Sequence, residues 1–294
     1  METSLLFKTL VILSAQIGIL LLSCFYCIYR ARLAYEKNIT FLGMNFRGSV
    51  NLKGKLNLIP FYQIQDEFPK KLIKVITKDH TDHQEANNQE EVIRLLKDGY
   101  KHQPRPNTLL ASIIIFNSIV MFGTLAIVSA FDLGVTLGMT FFTLTSLSMG
   151  PIFAFIMLEM DENDGFKALK IVFLVTLLTG FIGYGDFYSF SENTIFGIIL
   201  SLSLLGLIIF NLARFFIEIS RSAVRVSAIC GSALFSMFLL YDFNYIRQQE
   251  GTFGSNNWET AIEMAFILYL DIINLILEIF TFSIDAVLGN PPEK

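Results

Sequence analysis

Seven stretches of this chain are apolar over about 20 residues or more, the length an α-helix needs to cross ~30 Å of hydrocarbon. They are residues 5–29, 109–130, 135–158, 167–187, 194–217, 223–246 and 261–284. Inside a bilayer each backbone N–H and C=O must find its partner within the protein, so such stretches fold as helices. The connections after the second stretch are short, which sets successive helices antiparallel in one bundle. The expected fold is therefore an all-α membrane protein, a seven-transmembrane-helix bundle with a small soluble insert between helices one and two. Composition agrees: only 16% of the residues are charged, against about a quarter in soluble domains. A water-soluble enzyme and a disordered chain are both excluded.

The pattern divides the chain into a first transmembrane helix at 1–29, an insert at 30–108, a six-helix membrane domain at 109–284 and a tail at 285–294. The first stretch also has a signal-like aspect, because Lys8 precedes it and Leu21-Leu22-Ser23-Cys24 loosely resembles a lipoprotein cleavage site. The apolar run continues through Phe25, Tyr26, Ile28 and Tyr29, and a retained helix is expected. The insert carries turn signals at Gly43, Gly48, Gly54 and Pro60, strand-like alternation over 49–64 and a helical stretch over 90–100. Its run Asp79-His80-Thr81-Asp82-His83 offers metal-ligand types without two further ligands nearby, which reads as a solvated polar loop. Asn38-Ile39-Thr40 is a glycosylation acceptor only if it faces a secretory lumen. Cys24, Cys27 and Cys230 all lie in apolar runs, where a thiol behaves as a small hydrophobe.

Charge is distributed unevenly. Residues 1–108 hold 15 basic and 10 acidic side chains, and residues 109–294 hold 7 and 16. The basic residues are scattered, so the asymmetry reports topology and not a nucleic-acid surface. Leaving out the long insert, for which the positive-inside rule is unreliable, the side opposite the N-terminus receives six Lys and Arg against two. That count puts the N-terminus outside, and residues 30–108 and the C-terminus in the cytoplasm.

Ionisable residues within a span cost ~2.5–3.5 kcal/mol on insertion scales and mark functional sites. Asp242 in the sixth span and Asp271 near the middle of the seventh stand out. At 100° per residue, Asp271, Asn274, Glu278, Thr281 and Asp285 fall within an arc of ~80° on the seventh helix. Between Gln248 and Glu293 there is no Lys or Arg to neutralise this stripe. A helix with one acidic face in otherwise lipid-like surroundings turns that face into the bundle, toward water, a cation or a partner helix.

The run Tyr269-Leu270-Asp271-Ile272-Ile273-Asn274-Leu275, the Tyr241-Asp242 pair and Gly150-Pro151 in the third span together resemble the transmembrane Bax inhibitor motif family, also called the Bax inhibitor-1 family. The resemblance covers about residues 109–284 and implies a central seventh helix and a pH-sensitive calcium leak. It implies further that Asp242 and Asp271 hydrogen-bond as a proton-controlled gate, with Asn274 and Glu278 facing the cation path and Tyr241, Tyr269, Gly150 and Pro151 serving helix packing. Two carboxylates in contact in a low-dielectric bundle cannot easily both ionise, which is consistent with a shared proton. Calcium, a hard cation that favours oxygen ligands, would touch Asp242 and Asp271 in transit; it is permeant ion, not cofactor. The implied partners are the bilayer, calcium ions and protons, with other membrane proteins as a further class.

The chain departs from the family pattern in three ways. Residues 106–166 contain no Lys, Arg or His, so the arginine that latches the gate in some relatives has no counterpart there. The insert is longer than the family's usual connection, and relatives often place the N-terminal side in the cytoplasm. Two other readings share the aspartates: a cation/proton antiporter, and a non-conducting regulator that binds other membrane proteins. Gly183-Tyr184-Gly185-Asp186 and Tyr241-Asp242 also resemble the motifs of presenilin-like proteases, but in reversed order and without their Pro-Ala-Leu element, and no enzyme is expected.

Overall fold

The computed structural model describes residues 3–50, 56–62, 69–77, 80–102, 112–113, 115–121, 123, 134–160, 162–214, 216–217 and 219–288. In chain order the elements are α1 (Leu5–Lys37), β1 (Met44–Val50), β2 (Leu56–Tyr62), β3 (Lys70–Thr77), β4 (His80–Ala86), α2 (Gln89–Lys97), β5 (Lys101–His102), α3 (Gly134–Met160), α4 (Glu162–Tyr184), α5 (Thr194–Ala213), α6 (Arg221–Glu250) and α7 (Trp258–Leu288). They form two compact units, Met1–Tyr29 with Phe116–Lys294, and Arg30–Ile115.

Among the described residues, six helices are long and apolar enough to cross a membrane: α1 and α3 to α7. The second expected span, 109–130, lies largely outside the described residues; those described within it, 112–113, 115–121 and 123, are helical. Several helices extend past the apolar runs that announced them, since polar residues at their ends close the last turns. Side-chain oxygens satisfy the otherwise unpaired first N–H groups. Asn193 accepts from the Phe196 amide at 3.1 Å ahead of α5, Ser220 from Ala223 at 3.4 Å ahead of α6, and Asn257 from Thr260 at 2.7 Å ahead of α7.

Helix α7 packs against α3, α4 and α6 and is buried on most of its circumference, from Ala261 to Phe280. Aromatic edges join it to α3: Phe142 meets Phe266 and Tyr269 at centroid distances of 5.1 and 5.0 Å, and Phe153 meets Phe280 at 5.9 Å. Small residues allow close crossings elsewhere, as is usual where helices associate in lipid. A Cβ at Gly183 on α4 would lie 2.4 Å from the Leu240 carbonyl oxygen of α6. Helix α5 has only Leu200 buried along its length and presents the rest of its apolar surface outward.

The first span is an integral part of the helical unit. The Leu6 amide donates to Glu250 Oε1 at 2.9 Å, and Lys8 Nζ donates to the carbonyl and side-chain oxygens of Asn256 at 2.9 and 3.0 Å. Glu250 also accepts from the Tyr184 hydroxyl at 2.5 Å, so one carboxylate at the end of α6 holds α1 and α4.

The second unit is built on β-structure. β1 and β2 form an antiparallel hairpin with Met44 opposite Tyr62, and a separate sheet has the order β4-β3-β5. Leu72, Ala86, Val92, Leu95 and Tyr100 make its core beneath α2. The run expected to be a polar loop at 79–83 is mostly strand β4, so Asp82 and His83 point to opposite faces. Asp82 accepts a hydrogen bond from Tyr100. Asp79 lies outside the described residues.

Candidate functional site: two facing aspartates

Helices α6 and α7 are joined by a tight polar connection and run antiparallel, which brings Asp242 and Asp271 opposite each other. The two carboxyls lie close enough to act on each other electrostatically. Asp271 is 8% exposed, and its buried Oδ2 meets no donor N–H or O–H among the described residues. Ionised carboxylates carry acceptors only, so a hydrogen bond between the two would require one of them to hold a proton.

The acidic face continues toward the far end of α7 through Asn274 and Glu278, both half-buried. Glu278 rests on the bare backbone of Gly231 in α6, where a Cβ would come within 2.6 Å of its Cδ. Arg214, just past the end of α5, is the cation whose charge acts on Glu278. Arg214 itself donates to Asn211 Oδ1 at 3.4 Å. Asp285 has its side chain outside the described residues.

The nearby tyrosines point elsewhere, because residues one or two apart on a helix differ by ~100° or ~200°. Tyr241 donates to the Ser191 carbonyl at 3.3 Å and faces the α4–α5 connection. Tyr269, fully buried, sets its ring against Phe142, with its hydroxyl beside Ser146 but without a directed hydrogen bond.

Gly150 and Pro151 form a helix crossing. Proline lacks an N–H, so Pro151 leaves the carbonyl four residues back, that of Leu147, without its helical donor. The hydroxyl of Ser23 on α1 donates to that carbonyl at 3.0 Å. Gly150 makes the approach possible, since a Cβ there would lie 2.3 Å from Ser23 Oγ and 2.9 Å from the Cys24 amide nitrogen.

Asp186 of the Gly-Tyr-Gly-Asp run sits in the turn after α4 with φ of 54°. Its Oδ1 accepts from Asn244 and Gln248 of α6 at 3.3 and 3.4 Å, whereas the partner of Asp242 is Asp271 of α7. Asn244, completely buried, also donates to the Gly183 carbonyl at 3.0 Å and accepts from the amide and hydroxyl of Ser191, both at 2.9 Å. Sequence reasoning passed over Asn244, Ser23 and Gly231. An amide inside an apolar run was a readable signal for Asn244; nothing local marks the other two.

Among the described residues no group of three or more His, Cys, Asp and Glu could hold a resident metal ion. Two carboxylates fall well short of the six to eight oxygens a bound calcium takes.

The six long apolar helices among the described residues make this a multi-pass membrane protein. The family model described as inhibitor of apoptosis-promoting Bax1 matches residues 92–286, about two thirds of the chain. The chain belongs to the Bax inhibitor family. Comparison with curated proteins finds no match.

Proposed function

We propose that this chain is a pH-sensitive calcium leak gated by Asp242 and Asp271. The observation that supports the reading is the contact itself: a buried carboxyl whose Oδ2 finds no donor, set against a second carboxyl on the neighbouring helix. A proton held between the two ties α6 to α7. Its departure leaves two like charges in a poorly solvated interior, and their repulsion biases the helices apart. The separated carboxylates and the oxygens of Asn274 and Glu278 then offer a hard cation successive contacts without trapping it. Flux accordingly rises as pH rises. In this reading the protein is not an enzyme, calcium is cargo, and the N-terminus lies outside with residues 30–108 and the C-terminus in the cytoplasm.

The test is calcium efflux from liposomes containing the purified protein, with internal calcium and pH reporters. Efflux should increase with pH in the native chain, and Asp242→Asn and Asp271→Asn should each flatten the profile. An unchanged profile in both variants overturns the gate. Proton movement opposite to calcium would replace the leak with an antiporter using the same pair. Absence of flux at every pH would favour a regulator that acts by binding other membrane proteins.

A further inference from the structure

The inner face of α1 carries polar groups that the aspartate pair does not use. Lys8 is 8% exposed, Thr9 0% and Gln16 1%. Hydroxyls within these helices usually close onto the carbonyl four residues back, as those of Thr140, Thr145, Ser146, Thr179, Ser201, Ser236 and Thr281 do. Thr9 does not: its Oγ1 is buried and meets no partner among the described residues. Gln16 donates from Nε2 to Thr143 Oγ1 of α3 at 3.0 Å, while its Oε1 is equally buried and unmatched. On α7 the buried hydroxyl of Tyr269 is a third such atom. Tyr269 faces Phe142 and Ser146 of α3, and Gln16 faces Thr143, so the two orphans flank α3 within about one helical turn.

A buried polar atom without a partner in the protein calls for an ordered water or another small polar ligand. Lys8 binds Asn256 at the head of the bundle, and Thr9 and Gln16 follow along α1 with the buried Ile12 and Leu13 between them. Beyond Gln16 the same face turns apolar at Leu20, Cys24 and Cys27, all buried, with Cys24 against Met157.

We propose that the seam between α1, α3 and α7 holds ordered water at Thr9 and again at the level of Gln16 and Tyr269, and is dry from Leu20 onward. It brings solvent to mid-depth beside the helix that carries Asp271, on the side turned away from Asp242. The inference rests on the orphan atoms alone and stands whether or not the protein conducts calcium.

The experiment is thiol accessibility in the full chain reconstituted in lipid nanodiscs, with Cys24, Cys27 and Cys230 replaced by Ala and single cysteines returned at 9, 16, 20 or 24. A small charged methanethiosulfonate should modify Thr9→Cys and Gln16→Cys at least tenfold faster than Leu20→Cys or the restored Cys24. Equal, slow modification at all four positions overturns the proposal. A second measurement needs no cysteine replacement. Removing a dry orphan stabilises a protein, whereas removing a hydrated group does not, so Thr9→Val should leave the melting temperature unchanged or lower it. A clear rise overturns the proposal.

Discussion

The hydroxyl of Ser23 occupies the carbonyl of Leu147, the acceptor that Pro151 strips of its helical donor. The first and third spans are thereby joined by a hydrogen bond whose need is created on one helix and met by the other. Ser23→Ala should cost about 1 kcal/mol, the scale of interhelical hydrogen bonds in membranes. Gly150→Ala should cost more, about 1–3 kcal/mol, since its methyl also strikes the Cys24 amide nitrogen. Combining the two should not restore stability. Thermal unfolding of the purified variants in detergent checks the order.

Gly231 sets the position of Glu278. Gly231→Ala should displace the carboxyl, because the new methyl would lie 2.6 Å from Cδ and 2.9 Å from Oε1. The expected result is altered calcium efflux with a smaller loss of stability. Shortening the acid in Gly231→Ala/Glu278→Asp should recover much of it. If Gly231→Ala leaves efflux and its pH profile unchanged, Glu278 is not part of the ion path.

Asn244 is the node between α4, α6 and the turn that precedes α5. Asn244→Leu removes the donor to Gly183 and the acceptor for Ser191, leaving buried polar groups unmet at about 1–3 kcal/mol in total. Asn244→Asp sets a buried carboxylate against Asp186 Oδ1 and the Gly183 carbonyl, so at neutral pH it should lower the melting temperature at least as far as the leucine variant and recover on acidification.

In the β-structured unit the bond from Tyr100 to Asp82, followed by burial and the nearby charges of Asp82 and Asp98, pushes the Tyr100 hydroxyl pKa up. A raised pKa means that the folded state holds the proton more tightly. The contribution is thus complete below the ordinary tyrosine value of about 10 and is lost as pH climbs through the folded value. The difference in tyrosinate absorbance between the native chain and Tyr100→Phe should show one late-titrating tyrosine. Protease resistance of this unit should decline over the same alkaline interval only in the native chain.

How much of this was legible depends on the range of the interaction involved. The helices were written into uninterrupted apolar runs, since hydrocarbon leaves the backbone no other partner than itself. Asp242 and Asp271 were legible for the same reason: a carboxyl amid Leu, Ile and Phe is costly unless it meets something. Strand β4 was missed because a polar, alternating run of seven residues resembles a loop until β3 pairs with it.

What the sequence by itself determined is the solvent the protein lives in, the helices that meet it and the residues too expensive to be accidental. What only the tertiary structure decided is who answers whom: Ser23 to Leu147, Asn244 to Asp186, and Gly231 as the floor beneath Glu278. Periodicity fixes which way a side chain leaves its helix, but the partner comes from another helix. Its height and rotation are set by how closely glycines let the backbones approach.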